Sequence, residues 1–330
     1  MVDTPHVEVL YTGGTIGMVE TAEGLAPASG FEERARTASQ QQGIEGLPAW
    51  QLTELMPLID SANMDQSQWW RLARECVRAR EEGACGVVVL HGTDSLAYSA
   101  GALAFLLAGL DIPVIISGSM LPVGAQHSDG WENFFGALHT TWARSQAGDS
   151  GVYVHFHGDT LDGVSCRKIK SHGRHAFTSA FAASSLMTPS LPSELMAHAP
   201  RKEAAVAALP LFPGIQARQL KGMLEGVNGL VLECYGSGTA PSEDDAFFDE
   251  LETAVQGGVL VVAISQCSEG GVQLGTYAAG SRLIHAGVVS GGRMTREAAM
   301  GKLYWLLGSQ LDSEQRQQWL KCNIYGELNE

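Results

Sequence analysis

VEVLYTGGTIGM, residues 7–18, decides the fold: an apolar run ends at Tyr11, two glycines follow, and a threonine stands on either side of them, Thr12 and Thr15. Mostly apolar on both faces, the run reads as a strand of a parallel sheet covered above and below. Five more such runs follow: GVVVL (86–90), IPVII (112–116), GVYVHF (151–156), GLVLECY (229–235) and GVLVVAI (258–264). Segments of helical period lie between them. In 67–83, Trp69, Leu72, Ala73, Cys76 and Val77 share one face, with Arg and Glu opposite; 95–110 is apolar nearly all round and predicts a buried helix. Strands alternating with helices mean βαβ units and an α/β fold.

A chain of 330 residues suggests two domains. The one break in composition is 185–214, with prolines at 189, 192, 200, 210 and 213. Proline at that density resists both helix and central strand. The reading is an N-terminal domain 1–195, a linker 196–212 and a C-terminal domain 213–330. No solenoid repeat or low-complexity tract occurs.

A net charge of −15 argues against nucleic-acid or anionic-membrane partners, which need clustered Lys and Arg. The six cysteines are scattered with no C-x-x-C pair, so neither a zinc site nor a disulfide framework is suggested. MVDTPHVEVL has no signal-peptide character, and no apolar stretch reaches a membrane span, so a cytoplasmic location is expected. His155, His157, His172 and His175 cluster in sequence without matching carboxylates or cysteines and read as packed or solvent-facing, so no metal is expected. Trp69, Trp70, Trp131, Phe134 and Phe135 read as core or interface packing.

Ligands of open parallel sheets collect beyond the carboxyl ends of the strands. Two strand-ending turns there carry hydroxyls, VLYTGGTIG (9–17) and VVLHGTDSLAYSA (88–100). Taken alone, Thr93, Asp94 and Ser95 are preferred helix caps. G-G-T-I-G does not fit G-x-G-x-x-G, and no Gly-Lys-Ser/Thr follows, so nothing indicates a nucleotide. The pairing of the two turns is more informative. A threonine hydroxyl needs a base or neighbouring charge to act as a nucleophile, and a lysine held by an aspartate can serve. Before the linker only Lys168 and Lys170 are available, both in SCRKIKSHGRHAF (165–177).

YTGGTIGM, DSANM (60–64), HGTDSLAYSA, SGSMLP (117–122), SDGWEN (128–133), Arg167-x-x-Lys170 and CYGSGTAP (234–241) occur in the order found in bacterial cytosolic L-asparaginases. The chain resembles that asparaginase/glutaminase family from residue 7 to its C-terminus. The resemblance implies a larger N-terminal parallel-sheet α/β domain with a smaller C-terminal α/β domain, in homodimers or homotetramers. It implies hydrolysis of the side-chain amide of L-asparagine, and in some members of L-glutamine, through an acyl-enzyme on threonine without a cofactor. By motif position Thr12 resembles the nucleophile, and Thr93, Asp94 and Lys170 the proton relay. Ser61, Gly92, Thr93 and Asp94 resemble the substrate-binding set, with Ser61 toward the α-carboxylate and Asp94 toward the α-ammonium.

Departures from the family pattern mark where this chain differs. Leu25 stands where a loop tyrosine is usual, leaving Tyr11 or a residue of a neighbouring subunit to compensate. Thr239 replaces an asparagine, and Ser117-Gly118-Ser119-Met120 replaces T-G-S-Q. Cys267 matches a second, regulatory asparagine site of cytosolic relatives, but Glu233 and Ile169 replace its arginine and threonine, so that site is expected to be absent or altered. An amidotransferase subunit with an added N-terminal domain fits less well, since the chain opens almost at its first strand. The rivals are a broader glutaminase-asparaginase, a non-catalytic amino-acid-binding protein and, more distantly, a nucleotide-binding oxidoreductase.

Overall fold

The computed structural model describes residues 5–22, 24–182, 190–275 and 278–328 and divides the chain into two compact units, 1–179 and 180–330. The opening run is strand β1 (His6–Gly13), followed by a hairpin of β2 (Met18–Thr21) and β3 (Gly24–Pro27) and by helix α1 (Phe31–Gln41). Then come β4 (Trp50–Ile59), α2 (Gln66–Glu81), β5 (Ala84–Leu90), α3 (Leu96–Leu106), β6 (Pro113–Ser117), α4 (Gly130–Gln146), β7 (Gly151–Phe156) and β8 (Asp159–Asp162). The sheet order is β4-β1-β5-β6-β7-β8, parallel except for β8. A two-stranded ribbon of β9 (Cys166–Lys168) and β10 (Phe177–Ser179) closes the unit.

Alternation along β1 sends Val7, Val9 and Tyr11 into a cluster with Phe31 of α1 and with Phe134 and Leu138 of α4. Tyr11 stacks on Phe31 at 5.1 Å between ring centroids, and Phe31 meets Phe134 edge-on at 5.4 Å. Each fully buried ring or branched chain in this layer is worth about 1.5–3 kcal/mol. Thr12 faces the other way, toward Gln68, Arg71 and Leu72 of α2. α3 is buried all round, as its composition implies.

The second unit carries a parallel sheet of β11 (Val206–Pro210), β12 (Gly229–Cys234), β13 (Leu260–Ser265) and β14 (Val289–Ser290). Its helices are α5 (Ala217–Leu224), α6 (Asp245–Gln256), α7 (Ala278–His285), α8 (Arg296–Leu307) and α9 (Ser313–Leu320).

The proline-rich segment behaves differently from the linker reading; its residues 185–189 lie outside the described residues. Residues 196–212 lie wholly within the second unit, and 206–210 are edge strand β11. Residues just before that strand are pinned: the Arg201 guanidinium donates to the carbonyls of Leu195, Met196 and Trp305, and the Lys202 N–H donates to Gly308. Proline disrupts the interior of a central strand but is tolerated at a strand's first residue, as at Pro113 of β6, and at a sheet edge, where β4 and β11 each contain one.

Candidate active site

The turns after β1 and β5 are neighbours because their strands are paired, Tyr11 opposite Leu90. They touch directly. A Cβ on Gly14, which lies at φ 79°, would collide with the backbone of His91 and Gly92, and one on Gly92 would collide with the Ser61 hydroxyl. The glycines therefore bring the backbones of the two turns and the Ser61 side chain within van der Waals contact. Thr12 is buried, and its hydroxyl donates to the Leu90 carbonyl at 2.8 Å.

Ser61 is buried beside this junction. Its Oγ accepts the Asp94 N–H at 3.3 Å, and its carbonyl accepts the Ser95 hydroxyl at 2.6 Å. α3 has no side-chain cap bond at Ser95, so capping does not explain the Thr93-Asp94-Ser95 hydroxyls and carboxylate. They are turned elsewhere.

The lysine that meets them is Lys168, a correction to the motif-based choice of Lys170. Lys168 Nζ donates to Thr93 Oγ1 at 3.0 Å and to Asp94 Oδ1 at 2.8 Å. Lys168 is the last residue of β9, paired with Phe177, whereas Lys170 lies beyond the strand in an exposed loop. Within β9 the side chains of Cys166 and Lys168 fall on the same face and Cys166 is fully buried, so Lys168 follows it inward. Counting from Arg167 alone misses it.

Sequence reading also passed over what supports the turn. His91 is fully buried; its Nδ1 lies 2.7 Å from the Gly92 carbonyl and its Nε2 2.9 Å from Ser99 Oγ, which accepts the Trp69 indole N–H. A carbonyl only accepts, so Nδ1 carries the proton and Nε2 accepts from Ser99. Burial pushes the imidazole down to about 4, which keeps that tautomer neutral.

The departures have definite positions. Leu25 lies on β3 and is 53% exposed. Tyr11 does not stand in for the missing tyrosine: its hydroxyl donates to the Ala28 carbonyl from within the core, and burial raises it to about 12. In the second unit Thr239 closes its own turn, its hydroxyl donating to the Tyr235 carbonyl. Glu233 is buried and paired with Arg296. His157 meets His175 edge-on at 4.1 Å; among the described residues no three His, Cys, Asp or Glu side chains converge as a metal site would require.

Comparison with known proteins gives a consistent picture. Residues 6–188 match the family described as Asparaginase, N-terminal, and residues 205–320 match the Glutaminase/Asparaginase C-terminal domain. The chain is 35% identical over 335 residues to L-asparaginase 1 of Escherichia coli strain K12, covering 98% of this chain and 97% of that protein. Its fold superposes on L-asparaginase I of Vibrio cholerae with a TM-score of 0.84 at 30% identity, over 99% of both chains. The thermostable L-asparaginase of Thermococcus kodakarensis gives 0.80 at 30% identity, over 98% of this chain and 99% of that one.

Proposed function

The chain belongs to the asparaginase family, and on that premise we propose that it hydrolyses the side-chain amide of L-asparagine to L-aspartate and ammonia. One observation carries the reading: a lysine shared by a threonine hydroxyl and a carboxylate, on a turn packed against a second buried threonine. A protein that only binds amino acids has no use for such a relay. The E. coli, V. cholerae and T. kodakarensis relatives, each named an L-asparaginase, support the substrate.

In this mechanism Thr12 Oγ attacks the amide carbon, the C–N bond breaks, and the proton that Thr12 gives up ends on the departing nitrogen, which leaves as ammonia. The acyl group is then an ester on Thr12. Water polarised through Thr93, Lys168 and Asp94 adds to it, aspartate leaves, and the hydroxyl is restored. Asp94 is open to solvent on the side away from Lys168, which suits it to a substrate ammonium, while Ser61 lies one hydrogen bond away for the α-carboxylate. No metal or organic cofactor enters. Assembly as a dimer or tetramer and a cytoplasmic location complete the proposal and rest on the family likeness.

The test is ammonia release with L-asparagine and L-glutamine side by side. Thr12→Ala should lower release from asparagine by about 10³-fold or more. Silence of the unaltered protein with both amides, with asparagine still bound in calorimetry, would replace the hydrolase with a binding protein.

A further inference from the structure

The motif SDGWEN lies outside the reacting set, yet it holds a charge in an unusual setting. Asp129 is 1% exposed, and among the described residues no basic side chain lies within 4 Å of its carboxylate. Its charge is met by N–H donors alone. Oδ1 and Oδ2 accept from Met120 N at 3.1 and 3.0 Å, Oδ1 from Leu121 N at 3.1 Å, and Oδ2 from Asn133 Nδ2 at 3.1 Å. Backbone amides that satisfy a buried carboxylate are fixed by it, because any shift leaves the charge unmet.

Those amides belong to the loop after β6, and that loop adjoins the catalytic turn. The His91 N–H donates to the Ser117 carbonyl at 2.8 Å, and Gly118 is so close to the His91 carbonyl that a Cβ there would collide with it. Asn133 Nδ2 donates to the Gly118 carbonyl at 2.9 Å, while its Oδ1 accepts the His157 N–H at 2.7 Å from the loop after β7. Ser119 is buried and donates to the Leu121 carbonyl at 2.5 Å. Every polar handle of residues 118–121 named here is thus held by the first turn of α4 or by the loop itself.

We propose that Asp129, with Asn133, is a positioning residue for the amide-hydrolysing reaction: it sets residues 118–121 as the wall against which the substrate amide is held toward Thr12. This rests on the reading under Proposed function. Ser61 and Asp94, assigned to the amino-acid head group under Proposed function, are hydrogen-bonded to each other, to Ser95 and to Lys168 and not to residues 118–121. Loss of the carboxylate therefore misplaces the reacting amide more than it weakens binding.

Asp129→Asn keeps the shape and removes the charge. The expected result is a fall in kcat for L-asparagine of about tenfold or more, with KM within about threefold, and faster amide hydrogen exchange confined to 118–122. Asn133→Asp, which keeps Oδ1 but removes the bonds to the Gly118 carbonyl and to Asp129 Oδ2 and sets a second carboxylate against Asp129, should shift the same two readouts in the same direction. Unchanged exchange at 118–122 in a folded Asp129→Asn protein would overturn the bracing, and faster exchange with unchanged kcat would overturn the positioning role. If Asp129→Asn does not fold, Asn133→Asp decides by the same two outcomes. An unaltered protein inactive on both amides would remove the reaction itself and this role with it, an outcome separate from any failure in the variants.

Discussion

Each of the two parallel sheets ends in an acid–base pair, and the two pairs are built in opposite senses. At the end of the first sheet the lysine is enclosed, its side chain 19% exposed, while the Asp94 carboxylate is 69% exposed. At the end of the second the Glu233 carboxylate is 6% exposed and the Arg296 guanidinium 45%. Both Glu233 oxygens are taken by Arg296, at 2.5 and 2.7 Å, which ties β12 to the first turn of α8. The difference is one of chemical capacity. A lysine amine can exchange a proton and an arginine cannot, and an open carboxylate retains lone pairs for a ligand whereas a saturated one does not. On the proposed function the first pair is arranged to react, the second to hold.

The sharpest way to break that contrast is at the lysine. Lys168→Met should lower kcat for L-asparagine by about 10²–10⁴-fold, the usual contribution of a proton-transfer group. Lys170→Met, in the exposed loop, should stay within about twofold of the unaltered enzyme in the same ammonia assay. The reverse ranking would return the relay to Lys170 and show that the Lys168 contacts are a resting arrangement.

How much of this was legible in the sequence follows from burial. Strands β1, β5, β6, β7, β12 and β13 announce themselves because both faces are covered, so their sequences are mostly apolar, with isolated polar residues such as Glu8, His155 and Glu233. β4 and β11 lie at sheet edges and admit polar residues and proline, so β4 gives no strand signal and β11 falls inside the linker reading. The turns proposed to react are visible as hydroxyls beside glycines. The lysine was narrowed to two candidates, but the choice depended on where β9 ends, which is set by its pairing with β10 and not by any local motif. Asp129 and His91 sit in recognised motifs, yet their roles come from partners the motifs do not name: the Met120 and Leu121 N–H groups and the Asn133 amide for Asp129, the Gly92 carbonyl and the Ser99 hydroxyl for His91.

The ring beneath the first pair offers a second test. His91 is held neutral by burial at about 4, against an ordinary value of 6.5. Between those values the unfolded chain binds more protons than the folded one, so this group makes stability rise with pH through the window and fall on acidification. The full effect is about 3 kcal/mol by pH 4. Urea unfolding of the unaltered protein and of His91→Asn at pH 7 and pH 4 should show the variant losing less stability on acidification, by about that amount. Parallel losses in the two proteins would assign the acid sensitivity elsewhere and leave the turn without its neutral support.

The smallest expected effect is an absence, and it bears on the second pair. The resemblance to cytosolic relatives places a cationic anchor for an effector carboxylate at position 233, where this chain has a glutamate already bound by Arg296. An approaching α-carboxylate would meet like charge there, and loss of a charge-assisted bond costs more than about 1.5 kcal/mol, or over tenfold in affinity. Initial rates against L-asparagine should therefore be hyperbolic, with a Hill coefficient of about 1. Sigmoidal rates would mean that asparagine competes successfully for Arg296, because the guanidinium is the cation that remains at that strand end. Arg296→Met would then have to abolish the cooperativity, and the pair described here as holding would be one that switches.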